Sequence, residues 1–152
     1  MSSSSPGRML RRLAKLATAH VEARLAARAG ELNLSYTQWI ALKVIHDGIV
    51  TNVGELAREL GITTGSATRL VDTLEEHRLL NRDRGSDDRR VVKLMLTQAG
   101  VEVTKAVGPD VVGAWGDIFE DVDQAEAEAF IATLAKLFAK AEQITEAEGL
   151  VA

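Results

Sequence analysis

Residues 85–100 read GSDDRRVVKLMLTQAG. The stretch opens with a turn carrying two Asp and two Arg. Val92, Leu94 and Leu96 then alternate with Val91, Lys93 and Met95, the period of a strand. Thr97 follows as the N-cap of a helix. Together with Leu79–Arg84 upstream, this predicts two strands, Leu79–Arg84 and Arg89–Leu96, joined by Gly85-Ser-Asp-Asp88. A small charged hairpin standing in front of a helix is the feature on which the fold turns.

Upstream, three helices lead into it. Ser35-Tyr-Thr-Gln38 is a capping box, in which Ser35 takes an orphan N–H and Gln38 reaches back. It opens a helix through Trp39, Leu42 and Ile45 that ends near Gly48. Asn52-Val-Gly-Glu55 is a related box for a short helix with Val53, Leu56, Ala57 and Leu60 inward. Gly61 breaks it, and Thr63 caps the next helix, Thr64 to about His77. That helix turns Ala67, Leu70, Val71 and Leu74 inward, and Thr64, Ser66, Thr68, Arg69, Asp72 and Thr73 outward. Two helices about a tight glycine turn form a helix-turn-helix, and a following hairpin makes it winged.

The flanks are helical too. Leu10, Leu13, Leu16, Val21 and Leu25 recur at helical spacing, so residues 8–29 read as an amphipathic helix, stopped by Gly30. The residues before it, 1–7, read as a flexible tail. Downstream of Thr97, Val101, Val107, Val111, Trp115 and Ile118 mark one side of a fifth helix. Gly108-Pro109 interrupts that pattern, since a helical Pro removes a hydrogen bond; the expectation is one bent helix. Asp123-Gln-Ala-Glu126 is a further capping box, opening a sixth helix with Phe130, Leu134, Leu137, Phe138, Ala141 and Ile144 on one stripe. The fold class is therefore mainly α with a β-hairpin wing. Residues 34–100 would form the winged domain, and 8–33 with 101–152 would form dimerisation helices, within one unit spanning 8–152.

Composition narrows the function. The 152 residues contain no Cys, which excludes disulfides and thiolate metal sites, and three scattered His make poor material for a metal. No apolar run reaches the roughly 18 residues of a membrane span. The polar N-terminus is no secretory signal, so the cytoplasm is the expected home. Net charge is −4, but it is sorted along the chain. Residues 101–152 hold eleven acids against three bases, whereas Arg78 to Lys93 hold six bases against three acids. A local basic patch on an acidic chain suits a protein that touches phosphate at one chosen place.

In helix-turn-helix docking the second helix enters the major groove N-terminus first. Here that end is Thr64-Gly65-Ser66-Ala67-Thr68-Arg69. The hydroxyls can reach phosphates or base edges, Gly65 and Ala67 allow close approach, and Arg69 can fork onto guanine. The hairpin can carry an Arg into the minor groove, whose negative potential attracts it. An acid at Asp88 can hydrogen-bond the turn backbone, or hold that Arg in one rotamer.

At this point "LSYTQWIALKVI", "VGELARELGITTGSATRLVDTLE" and "DDRRVVKLMLTQAG" resemble the multiple-antibiotic-resistance regulator (MarR) family of winged-helix regulators, from about Leu34 to Gly100. The spacing of Asp88-Arg-Arg90 before Leu94-Met-Leu96-Thr97 is the specific part. The resemblance implies a homodimer on a pseudo-palindromic operator in double-stranded DNA, with Arg90 in the minor groove and Asp88 as its partner. It also implies a small anionic or aromatic effector that relieves repression. The candidate DNA set is Ser35, Thr64, Gly65, Ser66, Thr68, Arg69, Arg82, Arg84, Asp88, Arg89 and Arg90. The candidate effector residues are His20, Tyr36, Trp39 and Trp115, although the two Trp read more readily as core and His20 as packing or interface. One departure stands out: the family usually has Gly where this chain has Arg78, at the end of the recognition helix, where a left-handed cap is common. Arg78 must avoid that conformation or bear its cost.

Two other readings compete. One is a winged-helix module for protein interaction or non-specific DNA organisation. The other is an enzyme, against which stands the lack of any phosphate loop, nucleophile elbow, metal pair or cofactor motif. No cofactor and no metal are expected.

Overall fold

The computed structural model describes residues 5–28, 34–85 and 92–149. In order they form α1 (Pro6–Ala26), α2 (Tyr36–His46), α3 (Val53–Leu60), α4 (Thr64–Glu76), β1 (Leu80–Asp83), β2 (Lys93–Leu96), α5 (Gln98–Ile118) and α6 (Gln124–Ala147). The chain divides into two compact units between Ala114 and Trp115, inside α5.

Helix starts follow the caps. Ser35 and Gln38 make the reciprocal box, with Ser35 Oγ accepting from the Gln38 amide at 3.1 Å and Gln38 Oε1 accepting from the Ser35 amide at 3.0 Å. Asp123 and Glu126 do the same for α6. At α3 the box is altered. Asn52 accepts from the Glu55 amide at 2.9 Å, but Glu55 reaches one residue further back, to the Thr51 amide at 3.0 Å. α1 begins at Pro6, ahead of the periodicity and inside the expected tail, because Pro at a first helical position lacks only a hydrogen that has no partner there anyway.

Helix ends reuse one device. α2, α3 and α4 each close with a left-handed residue, Gly48 (φ 74°), Gly61 (φ 65°) and Arg78 (φ 60°). Each is followed by an amide reaching back five residues: Ile49 to Val44, Ile62 to Ala57, Leu79 to Leu74. Glycine has no Cβ to clash in this region and arginine does. Arg78 therefore adopts the strained conformation rather than avoiding it, and among the described residues it is the only non-glycine with positive φ.

The hairpin is antiparallel, pairing Leu80 with Leu96, Asn81 with Met95, Arg82 with Leu94 and Asp83 with Lys93. Both strands are shorter than the alternation suggests, and the predicted stretch 89–91 lies outside the described residues. The Leu94 amide also bonds the Thr51 carbonyl at 2.8 Å, so the loop before α3 borders the sheet.

The core of the first unit joins α1, α2, α3, α4 and the hairpin. Leu42, Leu56, Leu74, Leu80, Val21 and Val71 are wholly buried; each such Leu or Val contributes roughly 1.5–3 kcal/mol. Trp39 ties α2 to α5 by donating from Nε1 to the Thr104 carbonyl at 3.1 Å. α5 runs unbroken through Pro109. Beside that proline Arg28 donates to the Ala106 carbonyl at 2.8 Å and to Asp110. A guanidinium thus feeds a carbonyl in the turn that Pro109 weakens.

The second unit contains the end of α5 and all of α6. Trp115, Phe119 and Phe130 form a tilted aromatic row with centroids 6.4 Å and 6.3 Å apart. No residue of the 24-residue α6 is buried. On α6 Ile131, Leu137 and Phe138 are more than half exposed, as are Met9 and Leu16 on α1.

Two substitutions test the joint after α4. Arg78→Gly should stabilise the protein by about 1 kcal/mol, raising the melting temperature by roughly 2–4 °C for a chain of this size. Gly100→Ala should do the reverse, by ~1–3 kcal/mol, because a Cβ there would sit 2.1 Å from the Leu79 carbonyl oxygen. Urea unfolding of both variants reads the two signs.

Candidate nucleic-acid interface

Thr63 sets the first turn of α4. Its Oγ1 accepts from the Ser66 amide at 3.1 Å and donates to Ser66 Oγ at 3.0 Å. Arg69 Nη2 also donates to Ser66 Oγ, at 3.2 Å. Both Ser66 lone pairs are therefore occupied and its hydroxyl hydrogen is left to donate outward. Thr68 is the opposite case: its hydroxyl donates to the Thr64 carbonyl at 2.9 Å, so outward it can only accept, or offer its methyl. Thr64, Gly65 and Arg69 are exposed, with Ser66 and Thr68 half-buried. The turn thus presents Ser66 and Arg69 as donors and Thr68 as acceptor or methyl, a polarity pattern of the kind that reads base edges.

The hairpin's root lies beside this turn. An open cleft of about 420 Å³ is lined by Asn52, Val53 and Gly54 from the start of α3, Thr68 from α4, Arg82 and Arg84 from β1 and just beyond it, and Val92. Thr68, Arg82 and Arg84 therefore line one cleft. Asn52, Val53 and Gly54 escaped the sequence reading as site residues. Their signal was the cap itself, since a helix start presents unpaired backbone N–H groups and the positive end of its dipole. Ser35 is half-buried and engaged in its capping box.

Arg82 is engaged within the protein. Nη2 donates to Asp72 Oδ1 at 2.7 Å and Nη1 to Glu75 Oε1 at 3.0 Å. Arg84 is exposed and Asp83 accepts from the Gly85 amide at 2.9 Å to begin the turn. Asp88, Arg89 and Arg90 lie outside the described residues.

Of the effector candidates, Tyr36 and Trp39 stand together, with rings near parallel at 7° and centroids 6.3 Å apart. The Tyr36 amide donates to Glu22 Oε1 of α1 at 2.8 Å. His20 is on the exposed side of α1, two residues from Glu22, and Trp115 belongs to the second unit. Among the described residues no three His, Asp or Glu side chains gather as a metal ion requires, and no helix is long and apolar enough to cross a membrane.

Residues 34–92, from the start of α2 into the hairpin, match the model of the MarR family. That segment, 59 of the 152 residues, is similar to the family. MarR-family proteins are DNA-binding winged-helix transcription regulators and not enzymes. The HTH-type transcriptional regulator YhbI of Bacillus subtilis is 26% identical over 117 residues, 77% of this chain and 76% of YhbI. Bordetella bronchiseptica BpsR, whose DNA binding is regulated by 6-hydroxynicotinic acid, has the same fold at TM-score 0.76 and 20% identity, covering 90% of this chain and 95% of BpsR. A mutant MarR from E. coli in complex with operator DNA matches at TM-score 0.74 and 20% identity, covering 86% and 91%.

The Thr63 cap gives a local test. Thr63→Ala should cost about 1 kcal/mol and speed amide exchange at Ser66 in the first turn of α4, as read by urea unfolding and hydrogen exchange.

Proposed function

We propose that this chain is a homodimeric repressor that reads a pseudo-palindromic operator and releases it on binding a small aromatic or anionic molecule. The observation that carries the DNA half is the outward polarity of α4's first turn beside a cleft lined by Arg84 and the N-terminus of α3. In this reading α4 enters the major groove. Thr64, Gly65, Ser66, Thr68 and Arg69 meet bases and phosphates, while Ser35 and Arg84 contact backbone. Arg89 and Arg90 go to the adjacent minor groove, with Asp88 aiming them. The E. coli MarR–operator complex supports this assignment by shared fold.

The dimer half rests on the apolar surfaces that one chain leaves open. A helix of 24 residues spans about 36 Å, and α6 buries none of them within its own chain. A second copy would cover that stripe and the exposed leucines of α1 through a two-fold interface. Two reading heads about 34–36 Å apart would then meet successive major grooves on one side of the duplex.

The effector half rests on Tyr36 and Trp39, with His20 on α1 and Trp115 in the second unit as further candidates. The regulation of BpsR by an aromatic acid supports this class of ligand.

Selection from random duplexes with the purified protein, followed by competition, tests the first half. The selected site should win over random DNA by about 10³ or more; equal competition would favour a non-specific or protein-binding module. Arg90→Ala should weaken binding to that site on the order of tenfold or more and leave the protein a dimer by sedimentation at micromolar concentration. For the effector, hydroxynicotinate or salicylate should quench tryptophan fluorescence and release the DNA. Trp39→Phe should remove most of that quench; a quench surviving intact in Trp39→Phe would move the site away from α2.

A further inference from the structure

We propose that Arg82 is a positioning residue that latches the root of the wing to the recognition helix, and not one of the phosphate contacts; this rests on the DNA-binding reading above. Strand parity supplies the first argument. Leu80 and Arg82 share one face of β1, opposite Leu96 and Leu94, and Leu80 and Leu94 are buried. The same face turns the Arg82 stem toward the protein, and its side chain is only 21% exposed.

The second argument is the geometry of the guanidinium. Its two terminal nitrogens take two different carboxylates, Asp72 and Glu75, one helical turn apart on α4. A planar fork suits that task, whereas a lysine ammonium is a single point charge. A cation already shared between two acids has little attraction left for a phosphate.

The latch sits at the root of the hairpin, so any tilt there is magnified along the chain beyond it and would displace a groove contact. The turn at Arg78 fixes one point between α4 and β1, and the Arg82 fork fixes a second, so the hairpin cannot swing about the first. The fork also masks two carboxylates on α4, the helix proposed to lie against DNA. Arg84, exposed and on the same cleft, is left as the cation that meets phosphate.

A double-mutant cycle decides between latch and contact. The wild-type protein and three variants, Arg82→Met, Asp72→Asn with Glu75→Gln, and all three changes together, are titrated with the selected duplex over a range of salt. The latch predicts that Arg82→Met costs at least tenfold in the wild-type background and less than about threefold where the acids are already neutral, with an unchanged salt slope. Equal costs in both backgrounds would overturn it, and a salt slope reduced by about one would identify a phosphate contact instead. Arg82→Lys is a fourth variant: it keeps the charge, so a phosphate contact predicts near-normal binding and the latch predicts a loss close to that of Arg82→Met. Hydrogen exchange of the β1 and β2 amides, faster in Arg82→Met and in the Asp72/Glu75 pair alike, reads the latch without DNA. It stays informative even if the wild-type protein shows no sequence preference, an outcome that would remove the DNA-binding reading alone.

Discussion

Thr97 holds together the three elements on which the winged domain depends. Its amide donates to the Leu79 carbonyl at 3.1 Å and its hydroxyl donates to the Arg78 carbonyl at 2.7 Å. The same hydroxyl oxygen accepts from the Gly100 amide at 3.0 Å. One small side chain thus terminates β2, caps α5 and grips the turn at which α4 becomes β1. Gly100 lets α5 start directly on the Leu79 carbonyl, where any side chain would collide. The direction of α5 is therefore set by the end of α4 with no slack between them. Movement of α5 reaches α4 through a peptide group rather than through a flexible loop.

The strain at Arg78 belongs to the same joint. The turn needs a left-handed residue so that Leu79 can reach back to Leu74 and continue into β1. With Arg there, the cost falls on the conformation of a single residue, and the bonds from Thr97 and Leu79 hold that residue in place. Further along α5, Pro109 leaves the Lys105 carbonyl without its helical donor, and Arg28 braces the same turn by donating to the Ala106 carbonyl and to Asp110. Both positions depart from the most favourable local sequence, and both are held by a partner from another part of the first unit.

Much of this was legible in the residues, for identifiable reasons. Caps act locally, so Ser35, Thr63, Thr97 and Asp123 announced their helices, and the glycines at 48 and 61 announced two ends. The hairpin followed from the alternation of Leu94 and Leu96 with Met95. Proline at 6 marks the start of α1 more closely than the apolar period does. Charge alone groups Arg82 with Arg84, whereas parity with Leu80 places Arg82 on the inward face. The acids it meets come from α4, ten and seven residues earlier, and only the packing of β1 on α4 brings them near. The altered box at Asn52 was hidden similarly: Thr51 became Glu55's partner once its carbonyl was drawn toward Leu94. The contribution of α3's first turn to the cleft depends on three elements meeting, which no local pattern encodes.

The same bookkeeping of charge explains how a chain of net charge −4 can approach DNA. With Arg82 shared between Asp72 and Glu75, the cations left at the proposed interface are Arg69 and Arg84, joined by Arg89 and Arg90 of the wing. Even if all four released counterions, the salt slope would be no steeper than about −3.6 for each half-site, since each contributes about −0.9. That is a modest electrostatic grip, and charges elsewhere are screened beyond a Debye length of about 8 Å. Discrimination then falls to the hydroxyls of α4's first turn, whose donor and acceptor roles are set before DNA arrives. Because those groups need no reorganisation, little rotamer entropy remains to be lost on binding. A weakly cationic but preoriented reader should favour its own site over bulk DNA more than a strongly basic one would, and the pairing of Arg82 with two acids moves the balance in that direction.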